Sequence, residues 1–392
     1  MAEAWLSIIG LNEDGLAGLS SASRMALDQA EIVFGAPRHL ALAGVKGREW
    51  GVPFSVAPVL AERGKRVAVL ASGDPFWHGA GGALAGYLEA GEWVSYPALS
   101  TFALACNRLG WRMEEVVCLG LHAAALARLR PVLARGQKVI CLLRDSAAVG
   151  ELGAFLEAQG FGASGFHVLE ALGGPRERVV SITPQAAVHE AFWSPVAVAL
   201  DCVGRGMPRA SGLPDEMFAH DGQITKRAVR ALTLSALAPR GGEVLWDIGT
   251  GSGSVSIEFL LAAPGSVAHA VEADAARGAR AWGNAERFGL THRWHLHQGS
   301  AVDVIGDLPA PDVVFVGGGA SDALVERVWG LMPEGARLVM NGVTLETEAL
   351  LYRWHGNKGG HLMRIDLAEA GALGSKRGWE ASRPVVQWSV VK

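Results

Sequence analysis

Short apolar runs alternate with polar, helix-spaced segments along the whole chain. In the first half, residues 5–9, 67–71, 116–121, 139–143 and 196–200 are strand-length apolar runs. Residues 23–30, 81–90, 101–109, 123–133 and 147–158 instead repeat their apolar side chains at helical spacing. Alternation of the two periods predicts an α/β arrangement. From about residue 215 the alternation starts again. Strands are predicted at 244–248, 267–272, 294–298, 313–316 and 337–341, and helices at 255–263, 275–288 and 323–331. Two late extended runs, 361–367 and 384–391, are expected to add antiparallel edge strands. Between the halves lies Gly204-Arg205-Gly206-Met207-Pro208-Arg209-Ala210-Ser211-Gly212-Leu213-Pro214, which cannot hold a regular helix or a central strand. Two domains are therefore expected, 1–204 and 212–392, since 392 residues exceed what one core usually serves.

Composition narrows the class. Half of the residues are hydrophobic and 19% are charged, which excludes a disordered chain. No apolar run approaches the length of about 18 residues that a membrane span needs. The start, Met1-Ala2-Glu3-Ala4-Trp5, has neither the basic lead nor the apolar core of a signal peptide, so a cytoplasmic location is expected. A net charge of −4 offers no basic field, and no nucleic-acid partner is expected. The cysteines, Cys106, Cys118, Cys141 and Cys202, show no metal-type spacing; they are expected as buried free thiols, and no metal is expected.

The strongest local signal is Val244-Leu245-Trp246-Asp247-Ile248-Gly249-Thr250-Gly251-Ser252-Gly253. An apolar strand ends in an acid, and a triple-glycine loop opens the next helix. Glycines let the chain turn sharply beneath a ligand where a side chain would clash. Glu272 closes the next apolar strand, where its carboxylate can accept both hydroxyls of a ribose. Two ligands suit such a loop. A dinucleotide enzyme shows GxGxxG, because the pyrophosphate uses the helix N-terminus. Here the spacing is GxGxG, and the third-glycine slot of the dinucleotide pattern is Ser254. The Asp-Ile-Gly-x-Gly-x-Gly form resembles the class I methyltransferases, whose S-adenosylmethionine carries no phosphate. The fourth strand runs into Gly317-Gly318-Gly319, where many amino methyltransferases carry an Asn/Asp-Pro-Pro-Tyr clamp.

Several segments of the second half resemble the decarboxylating precorrin methyltransferase family. They are Leu213-Pro214-Asp215-Glu216-Met217-Phe218, Gly222-Gln223-Ile224-Thr225-Lys226-Arg227-Ala228-Val229-Arg230, the Asp247–Gly253 loop, Pro311–Gly319 and Asn341-Gly342-Val343-Thr344-Leu345-Glu346-Thr347. The resemblance spans nearly all of 213–392 and implies a Rossmann-like class I domain. It places Thr225, Gly249, Thr250, Gly251, Ser252, Gly253, Glu272 and Ala301 at the cofactor, with Lys226 as the candidate catalytic or substrate-binding cation. Ala228 departs from the family, where Glu is expected.

The first half lacks the GxGxG loop. It carries Leu6-Ser7-Ile8-Ile9-Gly10, Ser72-Gly73-Asp74-Pro75, Tyr96-Pro97-Ala98-Leu99-Ser100-Thr101-Phe102, Val116–His122 and Leu172-Gly173-Gly174-Pro175-Arg176-Glu177-Arg178 in that order. Together these are similar to the tetrapyrrole methylase (class III) family, in its cobalamin C-5 methylating branch, over about residues 4–203. The resemblance implies two α/β lobes with the cofactor in their cleft, held by Gly73, Asp74, Ser100 and Thr101. His122 is a candidate catalyst, although a histidine beside a glycine loop is more often a hydrogen-bonded structural group. The first loop, Gly10-Leu11-Asn12-Glu13-Asp14-Gly15, replaces the family's Gly-x-Gly-Pro-Gly, and two acids there would repel a polycarboxylate substrate.

The fused pair implies methylation of precorrin-6B at C-5 and C-15 with loss of the C-12 acetate carboxyl, giving precorrin-8 for cobalamin. S-adenosylmethionine would be the donor and S-adenosylhomocysteine the product. Both families form homo-oligomers, so a homo-oligomer is expected. The substrate's carboxylates call for cations, with Lys226, Arg227, Arg205, Arg209, Lys376 and Arg377 as candidates. Two other readings stand beside this one: a protein or RNA methyltransferase fused to a methylase-like lobe, and a non-catalytic S-adenosylmethionine-binding scaffold.

Overall fold

The computed structural model describes residues 4–392, so the first three residues of the N-terminal segment considered above lie outside it. The chain forms two compact units. One takes the residues up to Leu126 with Val132–Gly206; the other takes Met207–Lys392 with Ala127–Pro131. The break after Gly206 falls inside the Gly/Pro/Arg-rich stretch.

The first unit holds two five-stranded sheets. Strands β1 (Leu6–Leu11), β2 (Ile32–Gly35), β3 (Arg48–Glu49), β4 (Val67–Ser72) and β5 (Trp93–Tyr96) form an all-parallel sheet in the order β3-β2-β4-β1-β5. Its two central strands are buried almost throughout, as a parallel sheet covered on both faces requires. The second sheet joins β6 (Val116–Gly120), β7 (Lys138–Leu142), β8 (Gly165–Glu170), β9 (Arg178–Ile182) and β10 (Val196–Asp201) in the order β6-β7-β10-β8-β9. Only the β6–β7 pair is parallel.

The second unit carries β11 (Val244–Ile248), β12 (Val267–Glu272), β13 (Trp294–Gln298), β14 (Val313–Val316), β15 (Arg337–Gly342), β16 (His361–Ile365), the hairpin β17 (Ala368–Leu373) and β18 (Lys376–Ala381), and β19 (Val385–Val391). Its main sheet runs β13-β12-β11-β14-β15-β19-β16, with β19 antiparallel to both neighbours. The order reverses between β11 and β14, and a ligand crevice opens at the carboxyl ends of strands at such a switch point.

Three expectations are corrected. Residues 123–133 form no α-helix, only a 3-10 turn at Leu126–Leu129. Leu126, Leu129 and Leu133 imitate helical spacing, but Pro131 removes a helix hydrogen bond and clashes with the preceding turn. Of the two late runs, β16 is an edge strand, whereas β19 is interior, buried along most of its length. The helix expected at 81–90 shortens to Ala80–Ala85, where four glycines between 81 and 91 weaken it.

Candidate functional site

In the second unit, one cavity of about 980 Å³ opens over the carboxyl ends of β11, β12 and β14. Gly249 and Gly251 take φ of +69° and +59°, a backbone region costly for any residue with a side chain. A Cβ at Gly249 would stand 2.8 to 3.0 Å from the Gly318 backbone, so the two glycine loops pack directly on each other. Gly249, Thr250, Gly251, Ser252, Glu272, Ala301, Thr225 and Lys226 all border the cavity. Gly253 does not. At φ +74° it starts the helix Ser254–Ala262 and faces Ala281 and Trp294.

The acids are held in different ways. Glu272 accepts the Gly251 N–H at 2.9 Å through Oε2 and the Asp274 N–H at 3.0 Å through Oε1. Each oxygen keeps a further acceptor position for a ligand. Asp247 lies buried beneath the loop, where Oδ2 accepts the Thr250 hydroxyl at 2.6 Å and Oδ1 has no partner. Burial raises its pKa, with the nearby Glu272 charge acting the same way.

Arg230 organises the segment that leads to Thr225. Its side chain is fully buried and donates to Glu258 Oε1 at 2.6 Å, to Asp215 Oδ1 at 2.9 Å and to the carbonyls of Thr225 and Leu213. Glu258 also accepts the N–H groups of Gly212 and Leu213, at 2.7 and 2.9 Å. Asn284 ties Ala219 to the Ser252 carbonyl, joining this segment to the glycine loop. The motif residues at 213–230 therefore place Thr225 and Lys226 through buried ion pairs. Ala228, where the family pattern has Glu, is exposed and does not border the cavity.

The cation candidates separate. Of the six named, only Lys226 borders the cavity. Arg227 turns to the Gly212 carbonyl at 2.9 Å. Lys376 and Arg377 sit on the exposed strand β18, and neither Arg205 nor Arg209 reaches the cavity. Sequence reasoning missed Arg383, which borders it from the loop before β19. Among the described residues neither Lys226 nor Arg383 has a salt-bridge partner, whereas Arg277, also at the cavity, pairs with Asp221 at 3.1 Å. The far wall is apolar: Val229, Ile365 and Val385 pack together with Leu367, and all four border the cavity.

In the first unit, the ends of β1, β4 and β5 converge on a second glycine site. A Cβ at Gly10 would collide with the Gly73 carbonyl, and one at Gly73 (φ +52°) would stand 2.9 Å from the Leu99 carbonyl and 3.1 Å from Ser100 Cα. Ser100 caps the helix Thr101–Leu109, its hydroxyl accepting the Ala103 N–H at 3.1 Å. Gly73, Ser100 and Thr101 are thus brought together, while Asp74 Oδ1 accepts the Phe76 N–H at 2.9 Å. The same loop meets the second lobe: a Cβ at Gly120, on β6, would touch the His78 ring at 2.9 Å. The His122 and His78 rings lie 6.4 Å apart, and burial, then the His78 charge, lowers the His122 pKa.

Of the two atypical acids of the first loop, Glu13 is ion-paired and Asp14 is exposed. Glu13 is buried and paired with Arg38, and Arg176 stands 3.5 Å away on its other side. In Arg176-Glu177-Arg178 every charge finds a partner, since Glu177 pairs with Arg108 and accepts the Gly173 N–H at 2.7 Å, and Arg178 pairs with buried Glu170. Glu13 thus meets one arginine from each lobe, Arg38 and Arg176.

The comparisons agree with this division. The chain matches the precorrin methyltransferase domain over residues 216–392 and the tetrapyrrole (corrin/porphyrin) methylases over 6–187. A precorrin-6Y C(5,15)-methyltransferase (decarboxylating) of a Sinorhizobium species is 44% identical over 99% of this chain and 96% of that protein. One of the same name from Mycobacterium tuberculosis H37Rv is 37% identical over 98% of this chain and 99% of its own length. The crystal structure of the C-terminal domain of precorrin-6Y C5,15-methyltransferase from Rhodobacter capsulatus is 51% identical, covers 47% of this chain and 100% of its own, and superposes with a TM-score of 0.46. The protein is a methyltransferase in class. It belongs to the precorrin-6Y C(5,15)-methyltransferase (decarboxylating) family.

Proposed function

We propose that the chain methylates precorrin-6B at C-5 in its first unit and at C-15 in its second, where the C-12 acetate also loses its carboxyl group, giving precorrin-8 for cobalamin. The carrying observation is the mixed lining of the second cavity: a glycine cradle with Glu272, an apolar cluster of Val229, Ile365, Leu367 and Val385, and the cations Lys226 and Arg383. The cradle suits S-adenosylmethionine, because its positive-φ glycines leave no Cβ in the way and Glu272 keeps acceptor positions for a ribose. The first unit would hold its own S-adenosylmethionine at Gly73, Asp74, Ser100 and Thr101.

When bound, S-adenosylmethionine supplies an electrophilic methyl group on a sulfonium sulfur. The residues align it with an electron-rich meso carbon, and such alignment is worth about 7–11 kcal/mol of barrier. Thr225 closes the cavity from the N-terminal segment, anchored through Arg230. Lys226 and Arg383 would hold carboxylate arms through charge-assisted hydrogen bonds. Val229, Ile365, Leu367 and Val385 exclude water from the departing carboxylate, which loses charge as carbon dioxide forms. The methylated, electron-poor conjugated ring accepts the electron pair of the breaking bond. His122 and His78 stand near the first site as proton-handling candidates.

The partner on this reading is a small tetrapyrrole, with neither nucleic acid nor membrane. The net charge of −4 supports it, and among the described residues no helix is long and apolar enough to cross a membrane. A cytoplasmic homo-oligomer completes the proposal. Incubating the protein with precorrin-6B and S-adenosylmethionine, followed by mass spectrometry, tests it. The expected product gains two methyl groups and loses one carbon dioxide; methylation without that loss, or no methylation, overturns the reading.

A further inference from the structure

Asn341 is a polar residue lining the second cavity together with the apolar Val229 and Val385. Asn341 on β15 stands opposite Gln387 on β19, and both side chains meet Thr233 of the helix Arg227–Leu237. Thr233 is 0% exposed and Gln387 2%. Polar groups at that depth are costly unless bonded, and the bonding here also fixes an orientation. The Thr233 hydroxyl donates its one proton to the Val229 carbonyl at 2.9 Å, so its oxygen can only accept from the amides. Asn341 Nδ2 donates to it at 2.8 Å and Gln387 Nε2 at 3.2 Å. Gln387 Nε2 also donates to Asn341 Oδ1 at 3.0 Å. The closed set leaves no freedom to exchange the oxygen and nitrogen of Asn341.

The count of bonds leaves a remainder. An asparagine amide has two N–H donors and two acceptor positions, and Asn341 has spent one of each. The residue is half-buried and borders the cavity beside Val229 and Val385. Directly after it, Gly342 ends β15 opposite Val386, and a Cβ there would lie 2.8 Å from the Thr347 methyl.

We propose that Asn341 contacts the substrate in the second site, its second N–H donating to a carboxylate oxygen of the macrocycle, with Thr233 and Gln387 as the residues that position it. The proposal rests on the reading of this cavity as the tetrapyrrole site. A role confined to pinning β15 to β19 would need no spare N–H at a cavity-lining residue, and it makes a different prediction.

The test uses the full chain carrying Asn341→Ala, Thr233→Val or both. It reads substrate affinity by visible absorption titration in the presence of S-adenosylhomocysteine, S-adenosylhomocysteine affinity by calorimetry, and thermal stability. Asn341→Ala is expected to weaken tetrapyrrole binding about tenfold or more, the size of a lost hydrogen bond to a charged group. S-adenosylhomocysteine affinity should stay within about twofold. Thr233→Val should weaken tetrapyrrole binding less, and the double variant should be no worse than Asn341→Ala, because Thr233 acts through Asn341. If Asn341→Ala does not fold, Asn341→Asp, which keeps the shape but loses the N–H, must show the same loss. Unchanged tetrapyrrole affinity in Asn341→Ala, or full additivity of the two substitutions, overturns the proposal. Should the unsubstituted protein itself bind no tetrapyrrole, the reading of the cavity fails instead.

Discussion

Glu272 serves the fold and the ligand at once, because its oxygens each hold one backbone N–H and each keep a position toward the cavity. Removing it should cost a ribose hydroxyl its charged acceptor. Glu272→Ala is expected to weaken S-adenosylhomocysteine at the second site by about 1.5–3 kcal/mol, roughly tenfold to 150-fold. Calorimetry should show one of two binding events shifted, and an unshifted isotherm would remove Glu272 from the ribose role. His39 carries a different consequence. Burial, then the Arg38 charge, lowers its pKa to about 4, and its Nε2 lies 2.8 Å from the Ser72 hydroxyl, one residue before Gly73. Between the unfolded pKa near 6.5 and about 4, the unfolded chain binds a proton that the folded chain does not. This contribution is therefore fully present above pH ~6.5 and fades as pH falls toward ~4. Denaturant melts of His39→Gln from pH 7 to 4 should show a shallower loss of stability than the unsubstituted chain; parallel curves would count against it.

Among the elements, the Gly249–Gly253 loop was legible because its glycines directly follow an apolar strand and precede a helix, a local pattern with a local cause. Gly249→Ala is expected to abolish S-adenosylhomocysteine binding in the second unit. It forces φ +69° on a residue with a Cβ and drives that atom to within 3.0 Å of Gly318. Retained binding in a calorimetric titration would show that the Gly317–Gly319 loop yields. Other features were not legible. Arg383 is a lone arginine in the sequence, and it reaches the cavity only because β19 inserts between β15 and β16, a long-range pairing that no local period encodes. Arg230 was visible as a motif letter, but its burial depends on Glu258, 28 residues away. Glu258→Ala leaves that guanidinium short of its closest carboxylate, and removing one partner of a buried pair costs about 3–5 kcal/mol. A loss near that size in denaturant melts is expected; a change below about 1 kcal/mol, typical of exposed pairs, would contradict the anchoring role. Strands β2, β3, β5, β8 and β9 and the hairpin β17–β18 went unread; β2, β3 and β5 span only two to four residues, too few to carry a period.

At the scale of the molecule, the alternation of strands and helices foretold two α/β halves, but not that Ala127–Pro131 would join the second unit. There Arg130 stacks on Phe288 at 4.7 Å and donates to the Arg287 carbonyl at 3.2 Å. Two glycine-built sites in two units imply two S-adenosylhomocysteine molecules per chain, and calorimetry of the full chain should approach that stoichiometry. On the proposed function, decarboxylation belongs to the second unit. The most direct test is the S-adenosylmethionine dependence of carbon dioxide release from precorrin-6B in full-length Glu272→Ala. The half-saturating S-adenosylmethionine concentration for carbon dioxide release is expected to rise by the same factor as the loss of S-adenosylhomocysteine affinity at the second site. Carbon dioxide release that saturates at the unsubstituted protein's concentration, while second-site binding is weakened, would contradict it.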